Sequence, residues 1–313
     1  MTNFHLFAVE TAGPRALQVP PDAVQFADLY RGLPLGVYTA FRTFEHNKFL
    51  YLSRHLARTE RSMALLGWRY TLDRARLLRT LDAVVTAAEW PPESGPPQSG
   101  SPQSGPEMRV RIDILADPAE ALGTTSRELI AVQPFTPPPV ELYEQGVVVD
   151  FAAGLHRDNP LAKTAEFAAR RPAGAGLRAL EATAAVSPPA AEPYEYLLLD
   201  PDRRILEGTG TNFWAVRDGV VYTAGEGVLE GITREILLQI IPTLGMEVRT
   251  EAVGVEDIPT LDEAALSGSS RAFVPVVAIA GRPVGDGRPG PISRRILAAY
   301  HAFVAANVRT AIG

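Results

Sequence analysis

Of the 30 basic residues in this 313-residue chain, only Lys48 and Lys163 are lysines; all the others are arginine. Arginine stays protonated and cannot act as an amine nucleophile, whereas a desolvated lysine can form a Schiff base. A chain that uses arginine wherever charge alone matters leaves lysine where something else is required. Lys48 lies in Glu45-His-Asn-Lys-Phe49, a hairpin turn between two apolar runs, where a solvated turn residue is the simpler reading. Lys163 lies in Asn159-Pro-Leu-Ala-Lys163-Thr-Ala-Glu-Phe167 and opens a stretch, 164–171, with helical propensity. Rarity by itself leaves both a chemical and a structural role open for Lys163.

Other candidates lie elsewhere in the chain. Glu207-Gly-Thr-Gly-Thr211-Asn212 puts a carboxylate on a Gly-rich turn. A strand rather than a helix follows, so this is no dinucleotide fingerprint, and the glycines suggest close backbone approach to a ligand or a bulge. The segment 225–231 runs into an amphipathic helix with Thr233 as its expected N-cap; the preceding amides could hold a phosphate, or the cap could be a plain one. Ser269 and Ser270 precede an apolar strand, where small hydroxyl residues either cradle an anion or turn the chain. His55 and Arg58 lie one turn apart on a helix, which could equally be a solvated face. Arg109, Arg111 and Asp113 share one face of a strand; two arginines there could grip a carboxylate bidentately or form an exposed edge. One unusual lysine, a carboxylate on a Gly-rich turn and several anion-binding candidates are together the parts that pyridoxal phosphate requires. The lysine engages its aldehyde, the carboxylate keeps its pyridine nitrogen protonated, and a cup anchors its phosphate.

The elements that must position these residues follow from periodicity and turn chemistry. Residues 4–50 read as strands and turns. A helix starts at Ser53 as N-cap, with Leu52, Leu56, Thr59, Met63 and Leu66 on one face and Gly67 as its stop; another covers 72–88. The Pro-Gln-Ser-Gly repeat of 91–106 reads as a flexible surface loop. Phe135-Thr-Pro-Pro-Pro-Val marks a linker over 135–145, which separates a domain at 1–134 from one at 146–313. An Ala/Pro-rich stretch at 171–193 combines helix with loop. A meander follows through Tyr196, Ile205 and Asn212, with turns at Pro201 and Asp218, and the terminal helix spans 292–308. A net charge of −6 argues against nucleic acid or an anionic membrane as partner. The absence of cysteine excludes disulfides and thiolate metal sites. Neither a signal peptide nor a membrane span is legible, so the expected location is cytoplasmic.

Six motifs in order then resemble one family, the class IV (fold-type IV) pyridoxal-phosphate enzymes, which include branched-chain and D-amino-acid aminotransferases and aminodeoxychorismate lyases. They are Gly36-Val-Tyr38-Thr-Ala-Phe-Arg-Thr, His55-Leu-Ala-Arg58, the Lys163 segment, Glu207-Gly-Thr-Gly-Thr-Asn-Phe, Gly231-Ile-Thr-Arg and Ser267-Gly-Ser-Ser-Arg-Ala-Phe-Val-Pro-Val. The resemblance implies an α+β, two-domain fold: a small α/β domain and a larger cofactor-binding domain with a β-meander or barrel core. It implies Lys163 as Schiff-base lysine and proton shuttle, and Glu207 on the pyridine nitrogen. It also implies Arg58, the amides of Ile232 and Thr233 and the hydroxyl of Ser269 or Thr233 on the phosphate, with Thr211, Asn212 and Ser270 completing the cofactor site. Tyr38, Arg109 and Arg111 are its candidates for the substrate, an amino acid or 2-oxo acid, and the assembly it implies is a homodimer. Two departures bear on substrate. Branched-chain enzymes typically carry Phe-Glu-Gly-Ile-Arg where this chain has Tyr38-Thr-Ala-Phe-Arg42, and a tyrosine where it has Ala168. The expected reaction is transamination, with aminodeoxychorismate lysis to 4-aminobenzoate and pyruvate as the alternative.

Overall fold

Along the strand Met108–Leu115 alternate side chains, Met108, Val110, Ile112 and Ile114, enter one apolar layer while Arg109, Arg111, Asp113 and Leu115 take the other face, and this alternation organises the first half of the chain. The computed structural model describes residues 4–23, 26–88, 107–172 and 192–311. The expected loop at 91–106 and most of the Ala/Pro-rich stretch lie outside the described residues. The elements of this half are β1 (His5–Glu10), β2 (Gly13–Leu17), β3 (Gly36–Arg42), β4 (Lys48–Leu50), α1 (Leu52–Leu65), α2 (Arg74–Ala87), β5 (Met108–Leu115) and β6 (Glu128–Pro134). Five of the strands form a sheet in the order β2-β1-β6-β5-β3, with every pairing antiparallel. On one face Val110, Ile112 and Ile114 pack with Leu56 and Met63 of α1 and Leu77, Leu81 and Val84 of α2. On the other, Leu6, Ala8 and Leu115 pack with Phe26 and Leu29.

Helix α1 does not begin on a Ser53 cap. Tyr51 is its N-cap, in the left-handed conformation at φ 51°, and no side chain caps it. The chain leaves β4 through this sharp turn, so the helix starts one residue before the expected cap. The N-cap of α2 is conventional: the Asp73 carboxylate accepts the Arg76 N–H at 3.0 Å.

The second half contains α3 (Glu141–Glu144), β7 (Val147–Phe151), α4 (Ala165–Ala169), β8 (Glu195–Leu199), β9 (Ile205–Gly208), β10 (Asn212–Arg217) and β11 (Val220–Tyr222). After them come α5 (Ile232–Thr243), β12 (Val248–Arg249), β13 (Glu263–Gly268), β14 (Ala272–Ile279), β15 (Arg282–Pro283), α6 (Pro291–Asn307) and β16 (Val308–Thr310). The strands run β12-β11-β10-β13-β14-β7-β8-β9, and β9 also pairs with β10. That extra pairing is Glu207 opposite Asn212, and it closes β10-β13-β14-β7-β8-β9 into a ring, a barrel core. Val149, Leu197, Ile205, Phe213, Leu266, Val274 and Val276 are buried in its core. The expected meander is therefore present, and its Gly-rich turn is the point of closure.

The chain divides into two compact units. One comprises Met1–Phe135, Ala162–Ala169 and Ala306–Gly313; the other comprises Thr136–Leu161 and Arg170–Ala305. The Lys163 segment thus belongs to the unit of the five-stranded sheet, where Thr164 bridges Val37 of β3. β16 returns to this unit and pairs antiparallel with β4.

Candidate active site

Lys163 is fixed through its backbone on two sides. Its carbonyl accepts the Tyr38 N–H at 3.0 Å, and its own N–H donates to the Ser62 hydroxyl of α1 at 3.2 Å. The ammonium Nζ lies 4.7 Å from the Tyr38 ring centre, a distance at which the ring's negative face attracts a cation. A polar cluster is buried against the same strand. Thr39 is fully buried, His55 is 2% exposed and Arg58 is 4% exposed. Arg58 Nη2 donates to Thr39 Oγ1 at 3.2 Å, and Thr39 Oγ1 lies 2.7 Å from His55 Nδ1. Guanidinium can only donate, so Thr39 Oγ1 accepts from Arg58, and its hydrogen bond with His55 Nδ1 ties the histidine to the same hydroxyl. Burial pushes the His55 pKa well below its ordinary value, and the charges of Arg58 and Lys163 push it the same way. His55 is neutral.

The other unit holds the carboxylate. Glu207 is 1% exposed, and its Oε1 accepts Arg157 Nε at 2.6 Å, the two side chains being 2% and 4% exposed. Its Oε2 accepts the Leu229 N–H at 3.2 Å and Asn212 Nδ2 at 3.3 Å. Asn212 Nδ2 also donates to Leu229 O at 2.8 Å. A β-carbon on Gly231 would land on Asn212 Oδ1, so only glycine leaves this amide in place. Gly231 is also the N-cap of α5, with no side-chain cap bond; Thr233 sits inside the first turn instead of capping it. The reason is local, since the chain before Ile232 is extended at Gly231, with ψ 139°, and Glu235 N–H already bonds Gly231 O at 2.9 Å. Ile232 and Thr233 are both buried. Thr211 Oγ1 is buried and has no hydrogen-bond partner among the described residues. Ser269 and Ser270 form the tight turn between β13 and β14, and both are partly exposed.

Tyr38, Lys163, His55 and Arg58 are thus brought together in one unit, and Glu207, Asn212, Thr211 and the start of α5 in the other. Of the two alternatives for the strand arginines, an exposed edge does not hold for Arg111, which is 4% exposed. Arg111 forks onto Asp113, Nε to Oδ2 at 2.8 Å and Nη2 to Oδ1 at 2.6 Å, and its guanidinium lies 4.1 Å from the Tyr38 ring centre and 4.2 Å from that of Tyr30. Arg109 lies over Phe26 at 5.1 Å. Arg157 escaped the sequence reading altogether. Its only signal is a basic residue in the turn six positions before the lysine, and nothing in that spacing points to Glu207. The role of Thr39 in orienting Arg58 was equally hidden, because it depends on β3 facing α1.

Comparison with known proteins bears on the family and the fold. The family model for amino-transferase class IV matches residues 36–279. The branched-chain-amino-acid aminotransferase of Salmonella typhimurium is 37% identical over 108 residues, which cover 34% of this chain and 35% of that protein. A D-alanine aminotransferase of Staphylococcus aureus is 31% identical over 102 residues, 32% of this chain and 36% of that protein. The matched stretch therefore spans about a third of the length of these curated relatives. Among solved structures, a putative branched-chain amino acid aminotransferase from Thermotoga maritima superposes with a TM-score of 0.70 at 19% identity, covering 97% of both chains. A branched-chain aminotransferase from Thermoproteus uzoniensis with norvaline gives 0.67 at 21%, covering 98% of this chain and 99% of that one. These likenesses carry the fold: it is the two-domain α+β fold expected from the motifs. With the family model spanning most of its length, the chain belongs to the class IV amino-transferase family.

Proposed function

We propose that this protein is a pyridoxal-phosphate-dependent aminotransferase that moves an amino group between an amino acid and a 2-oxo acid. The observation that carries this conclusion is Lys163, one of two lysines in the chain, with its backbone pinned to β3 and α1 and its amine over Tyr38. The donor set fits the cofactor. Arg58 offers a buried guanidinium and the first turn of α5 offers amides to a phosphate, while Glu207 offers a buried carboxylate to a ring nitrogen. The unsatisfied Thr211 hydroxyl is a further group that a ligand oxygen would satisfy.

When bound, pyridoxal phosphate supplies an aldehyde that engages amines and a ring that draws electron density from the substrate Cα. With the cofactor bound, Lys163 Nζ would take the proton from the substrate Cα and return it two atoms away, at the cofactor's C4′ carbon, and the Tyr38 ring face lies 4.7 Å from this amine. Glu207, oriented by Arg157, Asn212 and the Leu229 amide, would hold a proton on the ring nitrogen. Arg58, oriented by Thr39 and His55, would bind the phosphate, as would the amides of Ile232 and Thr233 and the hydroxyl of Thr233 or Ser269. The same proposal includes a homodimer in the cytoplasm, acting on small molecules, with its domain boundary at 135–145. No helix among the described residues is long and apolar enough to cross a membrane.

Both curated relatives named above are aminotransferases, which favours transamination over aminodeoxychorismate lysis. Their names also set the donors to try first, branched-chain amino acids and D-alanine. The test is a half-reaction without acceptor: protein loaded with pyridoxal phosphate is given one L- or D-amino acid at a time. Stoichiometric formation of pyridoxamine phosphate and a 2-oxo acid with one class of donor is the expected result. Pyruvate release from aminodeoxychorismate with no half-reaction would identify the lyase instead.

A further inference from the structure

Two turns that carry proposed cofactor contacts converge on one buried carboxylate that the proposed reaction does not use. Glu195, at the start of β8, is 1% exposed. Its Oε1 accepts the Gly210 N–H and, at 3.3 Å, the Thr209 hydroxyl, both within the turn that follows Glu207. Its Oε2 accepts Arg271 Nη1 at 2.6 Å, from the turn that holds Ser269 and Ser270. Arg271 is itself well anchored. Its N–H donates to Gly268 O at 3.1 Å, its carbonyl accepts the Tyr143 hydroxyl at 2.9 Å, and its guanidinium lies 5.4 Å from the Tyr194 ring centre. Packing at the junction is tight. A β-carbon on Gly208 would lie 2.9 Å from Glu195 Oε1 and would also strike the Thr211 hydroxyl. One on Gly210 would lie 3.4 Å from Glu195 Oε1 and 3.6 Å from Arg271 Nη2.

We propose that Glu195 and Arg271 are positioning residues: they lock the turn at 208–211 to the turn at 269–271 and thereby set the affinity for pyridoxal phosphate. The affinity half of this inference rests on the function proposed above; the locking half does not. A carboxylate can accept from both turns at once with charge-assisted strength, which a neutral side chain of the same size cannot match. Burial opposes charge on Arg271, but Tyr194 and Glu195 outweigh it and raise its pKa, so the guanidinium stays charged over the physiological range.

Glu195→Ala alone would leave Arg271 buried without its carboxylate and risks unfolding. The informative variant is the pair Glu195→Gln with Arg271→Met, which removes both charges while Gln keeps an acceptor for the Gly210 N–H. Hydrogen exchange on the cofactor-free protein is expected to speed up in peptides covering 208–212 and 268–272 and to stay unchanged in the rest of the barrel. The Kd for pyridoxal phosphate is expected to rise about tenfold, the effect of losing one charge-assisted bond, with a changed phosphorus resonance of the bound cofactor. Arg271→Lys should fall between the two. Unchanged exchange in both turns would overturn the locking, and an unchanged Kd and phosphorus resonance would overturn its link to the cofactor. A wild-type chain that showed the expected exchange pattern yet bound no pyridoxal phosphate would uphold the lock while overturning the affinity half and the proposed function.

Discussion

Replacing Arg157 by methionine removes the cationic partner of Glu207 while keeping most of its volume. The two side chains are 4% and 2% exposed and meet at 2.6 Å, so this is a buried ion pair. Removing one member of such a pair typically costs about 3–5 kcal/mol, because the remaining charge keeps its desolvation penalty. Glu207 retains the Leu229 amide at 3.2 Å and Asn212 Nδ2 at 3.3 Å. Both bonds survive the substitution and keep the carboxylate partly solvated by the protein, so they offset part of the loss. The expected destabilisation is therefore near the lower end, about 3 kcal/mol, or roughly 6–12 °C in Tm for a chain of this size. Urea unfolding of Arg157→Met, Glu207→Gln and the double variant, all free of cofactor, reads it directly. The double variant, with neither charge buried, should recover to within about 1.5 kcal/mol of wild type, which makes the two substitutions strongly non-additive. Additivity within about 0.5 kcal/mol would refute the claim that Arg157 is what holds this carboxylate in place.

Other consequences are equally open to measurement. Lys163→Ala and Lys163→Arg should both abolish turnover, since arginine restores the charge but not a transferable proton; steady-state assays with the best donor would show it, and normal activity in either would count against the lysine. Glu207→Gln should leave pyridoxal phosphate binding largely intact and slow Cα proton abstraction by about two orders of magnitude or more in single-turnover experiments with deuterated donor; an unchanged rate would remove its role. Burial lowers the folded-state pKa of His55, with Arg58 and Lys163 adding to the shift. The stability gained by keeping it neutral is therefore full above the unfolded value of about 6.5 and is lost as pH falls below it, by up to about 1.4 kcal/mol per pH unit. Urea midpoints from pH 7.5 to 5 should fall less steeply for His55→Gln, and parallel slopes would contradict this.

Much of the fold was legible because it depends on local signals. The alternation in 109–115, the turn residues at Pro201 and Asp218, and the apolar stripe from Leu52 to Met63 each specify an element without reference to the rest of the chain. Two caps were misplaced because other choices dominate there. Tyr51 takes a left-handed conformation to leave β4, and Gly231 is held clear for Asn212. In the site, the rarity of lysine singled out Lys163, whereas the Arg157–Glu207 and Glu195–Arg271 pairs join residues 50 and 76 positions apart. No spacing in one sequence encodes such pairs; they exist because the strands close into a ring. Arg111 is the local case: its partner Asp113 stands two residues away on the same strand face, where the alternation placed both without deciding that they pair.

The most direct test of the central claim is covalent. Purified protein is mixed with pyridoxal phosphate, reduced with borohydride, digested and mapped by mass spectrometry. A single stoichiometric adduct on the peptide that contains Lys163, lost in Lys163→Ala, is the predicted result. No adduct, or one confined to Lys48, would contradict the assignment of this site.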